Sequence, residues 1–336
     1  MTVAESGGQM HRVVVTGATG FTGSHLVKRL VTAGKEVRGL ARDPAKAAAI
    51  EKQLAAVAVG DITDRAALKS LIEGADAVIH LVSNFRTASD TPEQYRSTNV
   101  EGTRAVIEVA AECGIKRLVH CSTIGVHGHV KQTPADENSP FAPGDLYQET
   151  KLEAELMARE AGEAGKFEVV VVRPCSIYGP GDMRMLKMFK MLAKRRFFML
   201  GPCLENFHAV YIDDLLEGYL KALDAPGIGG EVFLVGGPAY LPLKDYVATA
   251  AKAVGAPPPW IWLPYWPFFA AAALCEALCV PFGVEPPLHR RRVRFFKNNR
   301  AFRIDKARQR LGYEPKVSLE EGMARTVAWY RQQGFL

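Results

Sequence analysis

Three valines, Val13-Val14-Val15, run straight into Thr16-Gly-Ala-Thr-Gly-Phe-Thr-Gly23, and an amphipathic stretch carrying Leu26, Val27, Leu30 and Val31 follows. An apolar run, a turn with glycine at every third place and a helical stripe read as strand, tight turn and helix. Each glycine has a physical purpose. Gly17 permits the turn, Gly20 lets main chain approach a pyrophosphate, and Gly23 lets the helix close on the strand. Thr19, Phe21 and Thr22 fill out the loop, whose helix N-terminal amides would face the phosphates. A chain that begins in this way is committed to a strand-turn-helix unit that binds at its turn.

The pattern then repeats. Strand-like runs at Arg12–Thr16, Glu36–Leu40, Ala56–Val59, Ala75–Val82, Arg117–Cys121 and Glu168–Arg173 alternate with helix-like stretches at Gly23–Ala33, Ala45–Gln53, Arg65–Glu73, Glu93–Cys113 and Leu146–Ala161. Such alternation predicts an α/β fold, a Rossmann-type doubly wound parallel sheet with its ligand crevice at the carboxyl ends of the strands. Residues 11–174 would form mainly this dinucleotide-binding domain. Beyond Pro174 the pattern loosens, with helices expected at Met183–Lys194, Asp213–Leu223, Leu243–Val254, Asp305–Leu311 and Leu319–Gln332. A short strand at Val232–Val235 would return to the sheet. Residues 175–336 are read mainly as a smaller C-terminal substrate lobe.

Composition bounds the partners. Residues 1–10 are small and polar, are expected to be unstructured, and lack the apolar core of a secretory signal. The six cysteines are scattered without C-x-x-C pairs and read as reduced and cytoplasmic. The histidines are scattered too, so no metal is expected. The net charge is +6, and the segment 289–300 holds five arginines, one lysine and no acid, which accounts for all of it. No nucleic-acid partner is expected.

Far downstream stands Tyr147-Gln-Glu-Thr-Lys151. Two residues four apart share a helix face. Together with the glycine loop, this Y-x-x-x-K pair resembles the extended, epimerase-like branch of the short-chain dehydrogenase/reductases. The resemblance covers nearly the whole chain. It implies that Tyr147 is the general acid/base at the substrate oxygen and that Lys151 favours its phenolate and bonds the nicotinamide ribose. It also implies that Thr123, with Ser122 as alternate, orients that oxygen. Asp61 would accept from the adenine amino group and Ile62 would pack on the ring; the other reading makes Asp61 or Asp64 a helix cap. Leu81 and Ser83 would line the ribose, with His80 a packed histidine, and Asn99 would support the site from the long helix. Pro174 and Ser176 belong to the segment that closes over the nicotinamide. In NAD-preferring relatives an acid ends the second strand. Here Ala41 stands there and Arg42 follows, and a guanidinium can grip a 2′-phosphate. NADP(H) is therefore favoured, with NAD(H) the alternative. A homodimer is implied, packed through Glu93–Cys113 and Leu146–Ala161, on which Ala105, Ala110, Ala111, Ala154 and Ala158 would permit close approach.

The substrate reading rests on departures. Nucleotide-sugar relatives hold a diphosphate with an Asn and an Arg; here Ser176 and Phe207 stand at those places. From Ala253 to Cys275 there is no charge, and the stretch 260–282 carries three tryptophans, a tyrosine and the helix-like Phe268–Val280. Thirteen residues are too few to span a bilayer, which takes roughly twenty. The segment is either an apolar lid capping the lobe or a peripheral membrane contact together with the basic run, through 260–300. The apolar insert, followed by Pro286-Pro-Leu, the arginines, Asp305-Lys-Ala and Leu311-Gly-Tyr-Glu-Pro315, resembles the 3β-hydroxysteroid/sterol dehydrogenase group. The leading expectation is an NADP(H)-dependent oxidoreductase acting on a secondary alcohol or ketone of a small apolar substrate. A sterol or related isoprenoid lipid fits that description. The alternatives are a nucleotide-sugar epimerase or dehydratase, and a non-catalytic NADP-binding regulatory protein.

Overall fold

The structure is a computed structural model that describes residues 9–85, 91–279, 282, 284 and 286–336. The tail expected over 1–10 and the end of the apolar stretch at 280–281 thus fall largely outside the described residues. Met10 itself is tied in, its N–H donating to Asp224 Oδ1 at 3.2 Å.

The strands in chain order are β1 (Arg12–Thr16), β2 (Glu36–Ala41), β3 (Ala56–Val59), β4 (Ala77–His80), β5 (Arg117–Cys121), β6 (Glu168–Pro174), β7 (Ser176–Tyr178), β8 (Phe198–Leu200), β9 (Asn206–Phe207), β10 (Ala209–Tyr211), β11 (Val232–Val235), β12 (Leu241–Pro242) and β13 (Ile261–Leu263). The helices are α1 (Phe21–Thr32), α2 (Pro44–Glu51), α3 (Arg65–Ile72), α4 (Pro92–Arg96), α5 (Gly102–Glu112), α6 (Leu146–Glu163), α7 (Leu186–Ala193), α8 (Ile212–Asp224), α9 (Leu243–Val254), α10 (Tyr265–Cys279), α11 (Arg290–Arg294), α12 (Asp305–Leu311) and α13 (Leu319–Gln332).

Seven parallel strands form the main sheet in the order β11-β6-β5-β4-β1-β2-β3. β11 does return from the lobe, pairing Val232 with Val171. Strands buried on both faces read as unbroken valine runs, as in Val169–Val172, and helices cover each side. The chain goes from β1 outward to β2 and β3, then crosses to β4 on the other side of β1. That reversal opens a crevice at the ends of β1 and β4. β4 ends at His80 rather than Val82 because Leu81–Ser83 leave the sheet to wall this crevice. A Cβ on Gly17, whose φ is +74°, would meet Val82 N at 3.2 Å.

The stretch expected as one helix over Glu93–Cys113 is continuous but interrupted. A π-helical turn, Ser97–Glu101, separates α4 from α5. The extra residue rotates the downstream face, and Ala105, Ala110, Ala154 and Ala158 are all buried within the chain. They pack α5 and α6 against each other and the sheet. At the outer end, α10 begins three residues before the expected Phe268. Pro267 falls in its first turn, where an N–H has no partner in any case.

One ion pair locks α6 to the sheet. Glu155 and Arg173 are both fully buried, with Arg173 Nη2 2.5 Å and Nε 3.0 Å from the carboxylate. Ser122 Oγ donates to the same carboxylate at 2.5 Å, and Arg173 also donates to the Glu137 carbonyl. Glu155→Leu strands a buried guanidinium and is expected to cost about 3–5 kcal/mol, whereas Glu155→Leu with Arg173→Met should recover much of that loss. Urea denaturation of the two single variants and the double variant checks the coupling; strictly additive losses would show that the pair does not act as a unit.

Candidate active site

The glycine loop fits a dinucleotide phosphate on geometric grounds. A Cβ on Gly23 would lie 2.0 Å from the Gly17 carbonyl oxygen, and one on Gly20 would lie 3.3 Å from it. The turn and the first helical coil therefore touch main chain to main chain. α1 has Gly20 as its N-cap with no side-chain cap, so no side chain satisfies the first-turn N–H groups. Thr19, Phe21 and Thr22 are half-buried around this cradle, and Leu81 follows it closely, its N–H donating to Thr16 Oγ1 at 3.2 Å.

At the adenine end, Asp64 is the residue that caps α3, accepting from Ala66 and Ala67 N–H. Asp61 is left exposed and accepts from Thr63 N–H and its hydroxyl. Ile62 is buried and packs on Gly102, where a Cβ would come within 2.5 Å of its Cγ2. Arg42 is exposed at the end of β2 and has no ion-pair partner among the described residues. Asp43 is engaged instead as the cap of α2.

Asn99 sits on the π turn and is buried with all its bonds made. Its Oδ1 accepts from Asn84 N–H at 2.7 Å and from Ser83 Oγ at 3.3 Å. Its Nδ2 donates to Thr150 Oγ1 at 2.9 Å and to the Asn84 carbonyl at 3.2 Å. It thereby ties the loop after β4 to α6. The loop brings Phe85 edge-on to the Tyr147 ring, with centroids 4.8 Å apart. π turns recur where a side chain must be held off the regular helical register.

α6 carries Tyr147, Lys151 and Glu155 at four-residue intervals, and hence on one face. Tyr147 is half-buried. Lys151 is buried, and its ammonium donates to the Cys121 carbonyl at 2.6 Å. Burial pushes its pKa down, with Cys121 and the Glu155 carboxylate opposing. The two hydroxyls at the end of β5 separate cleanly. Ser122 is buried and committed to Glu155, while Thr123 is half-buried and accepts from Gly125 N–H at 3.0 Å. Gly125 lies against Gln148, the neighbour of Tyr147, which places Thr123 beside α6. Thr123, rather than Ser122, is the hydroxyl free to meet a substrate. Pro174 is buried at the end of β6. Ser176 begins β7, its N–H donating to the His208 carbonyl at 3.0 Å.

Two groups escape the sequence. Arg184 stands over both the Phe21 ring at 5.4 Å and the Phe85 ring at 5.5 Å while paired to Asp182. It joins the glycine loop to the loop beside Tyr147, and nothing in its own sequence neighbourhood marks it. Glu155 was within reach, since the same i+4 step that links Tyr147 to Lys151 leads on to it.

A parallel sheet with an amide-lined glycine turn at its switch point, and a tyrosine and a buried lysine four apart beside a free threonine hydroxyl, defines an enzyme of the nicotinamide-dinucleotide dehydrogenase/reductase class. The chain belongs to the NAD dependent epimerase/dehydratase family, whose model matches residues 13–236. It is 31% identical to 3beta-hydroxysteroid-dehydrogenase/decarboxylase isoform 1 of Arabidopsis thaliana, covering 94% of this chain and 78% of that protein. It is 28% identical to sterol demethylase protein B of Methylococcus capsulatus, covering 96% and 99%. Among solved structures, the crystal structure of gox2253 matches with a TM-score of 0.82 at 29% identity, over 96% of this chain and 99% of that one.

Behind the site, a buried row crosses the strand ends, Thr16 beside His80 and His80 beside His120. The Thr16 hydroxyl is 2.7 Å from His80 Nδ1, His80 Nε2 is 3.0 Å from Thr103 Oγ1, and the Thr103 hydroxyl donates to the Asn99 carbonyl. With that last proton fixed, His80 must donate from Nε2 and accept at Nδ1, the neutral form. Burial, and then the Lys151 charge, push its pKa from 6.5 to about 3. His120 is pushed well below its ordinary value by the same causes, and both its ring nitrogens lack partners among the described residues. Unfolded histidines bind protons below about pH 6.5, whereas these stay neutral in the folded chain. Their contribution to stability is whole above 6.5 and is lost as pH falls toward 3. His120→Leu should leave stability at pH 7 intact or raised and flatten its decline between pH 6.5 and 5. Urea melts across that range measure the slope, and an unchanged slope would exclude His120 as a cause.

Proposed function

We propose that the protein interconverts a secondary alcohol and a ketone on a sterol or related isoprenoid substrate, using NADP(H). The supporting observation is the conjunction of the Thr123–Tyr147–Lys151 site with an apolar substrate side. Where a nucleotide-sugar enzyme would need groups to hold a diphosphate, this chain has Ser176 and Phe207, and Phe207 is buried against Tyr246 with centroids 4.5 Å apart. Two relatives are named for steroid or sterol chemistry, which accords with that reading.

The chemistry supplied by a bound nicotinamide is hydride exchange at the carbinol carbon. The chain's own residues handle the proton. Tyr147 gives or takes it at the substrate oxygen, Thr123 orients that oxygen, and Lys151 lowers the cost of the phenolate. Phe85 shields one side of the phenol, and Asn99 holds Phe85's loop in place.

The second reading, a nucleotide-sugar enzyme, draws on one contact. The Arg300 guanidinium lies 6.0 Å over the Phe207 ring, so a cation is near the place where a phosphate clamp would be. Following NADPH absorbance with 3-ketosteroids and with nucleotide sugars decides between the readings. Turnover of steroid ketones is expected, and it should fall on the order of a hundredfold or more in Tyr147→Phe, typical of losing acid/base catalysis. Turnover of nucleotide sugars alone would reverse the assignment.

Preference for NADP(H) rests on an exposed Arg42, unpaired among the described residues, where an acid would repel the 2′-phosphate. Arg42→Ala should weaken NADPH binding about tenfold while leaving NADH unchanged, the scale of one charged hydrogen bond. Titration of both cofactors by fluorescence tests this, and tighter NADH binding in the unmodified protein would refute it.

A further inference from the structure

α10 is apolar on the side that faces solvent. Trp266, Ala270, Leu274 and Leu278 fall at four-residue steps and are all exposed, Trp266 by 66% and both leucines by 62%. Trp260, at 72%, and Phe282, at 81%, extend the strip beyond each end. The helix's one charge, Glu276, is turned away from this strip and held by Arg290, whose N–H donates to it at 2.6 Å. The inner face packs Phe268, Phe269 and Ala272 on Leu200 and Val293. α10 thus caps the lobe with one face only. It is docked by one side and leaves its other apolar side uncovered.

The cations around the strip come from two distant parts of the chain. α11 and the turn after it bring Arg292, Arg294 and Lys297, with Lys297 Nζ 4.7 Å over the Trp266 ring and Arg294 5.7 Å over Phe269. β13 pairs with β8, and this places the exposed Lys194-Arg195-Arg196 turn beside the aromatic stretch. Arg195 and Trp260 line one small cavity there with Pro257, Pro258 and Pro259. Among the described residues, none of Lys194, Arg195, Arg196, Arg292, Arg294 and Lys297 is in an ion pair. This second basic group is absent from the sequence reading and exists only through the β8–β13 pairing.

We propose that this face docks on the surface of an anionic lipid bilayer, with α10 lying in the interface and the two basic groups meeting acidic headgroups beside it. Tryptophans at the margin of an apolar strip, flanked by lysine and arginine, suit the boundary between headgroups and acyl chains. A fifteen-residue helix extends about 22 Å, too short to cross a core of about 30 Å but enough to lie along it. Charge argues against a second copy as the occupant, because apposing two such faces would bring both unpaired cation groups against their like. The proposal is independent of the substrate assignment.

Co-sedimentation of the full chain with phosphatidylcholine vesicles, with and without phosphatidylserine, tests it. Binding is expected only to the vesicles containing phosphatidylserine. It should weaken as salt rises and blue-shift the tryptophan emission. Arg292→Ala, Arg294→Ala and Lys297→Ala should each weaken it about fivefold. Leu274→Asp with Leu278→Asp should abolish binding while leaving the circular dichroism spectrum and NADPH binding unchanged, since both leucines are exposed. Failure of the folded chain to bind at low salt overturns the proposal. So does sedimentation velocity in which Leu274→Asp with Leu278→Asp converts a dimer to a monomer, because the face would then be a contact between copies.

Discussion

The Glu155–Arg173 pair is the joint on which the site hangs. An uncompensated charge in that interior would be untenable, so each partner fixes the other. What they fix is a distance between elements far apart in sequence. Glu155 belongs to α6 and Arg173 to β6, and Ser122, the residue after β5, donates to the same carboxylate. Three elements are thereby held at one point, one helical turn from Lys151 and one residue from Thr123. The Thr123 hydroxyl and the helix that carries Tyr147 and Lys151 cannot drift apart while this point holds. A second tie works from the other side, where Asn99 sets the loop after β4 against Thr150. Both fastenings, one ionic and one of neutral hydrogen bonds, seize α6 within eight residues after Tyr147.

Most of the sheet was legible because its causes are local. Valine runs bounded by glycine turns, with amphipathic stretches between, define β1, β3, β5 and β11 to the residue, since register and burial demand that alternation. The glycine loop was legible for a similar reason: its contacts are main chain to main chain and depend on the absence of a Cβ. The π turn was not. Periodicity treats Glu93–Cys113 as one α-helix, and one added residue per turn over five residues leaves no compositional trace. Every face of α5 after Glu101 is rotated from where a regular helix would put it, and this sets which of its residues are buried within the chain.

At the site, residue types and spacings gave Tyr147, Lys151 and the choice between Thr123 and Ser122. The resemblance puts Thr123 first, but residue type alone does not separate the two. Adjacent residues in extended chain point oppositely, and only the position of Glu155 reveals which of the two hydroxyls is already engaged. Arg184 and the Lys194-Arg195-Arg196 turn stayed invisible for the same reason. Their neighbours, Phe21, Phe85 and Trp260, are brought by tertiary pairing, which sequence spacing does not encode.

The π turn also has a bearing on how this chain can vary. A helix with a surplus residue wound into one coil sits above its own most relaxed form. Removing any residue of Ser97–Glu101 other than Asn99 would let it settle into ordinary α-helix, a local gain for the backbone. That gain would swing Asn99 about a quarter-turn around the axis and release Asn84, Ser83 and Thr150 together. A single-residue deletion here thus sets local backbone comfort against the site. The irregular coil is held in place by four side-chain hydrogen bonds that a regular helix could not make.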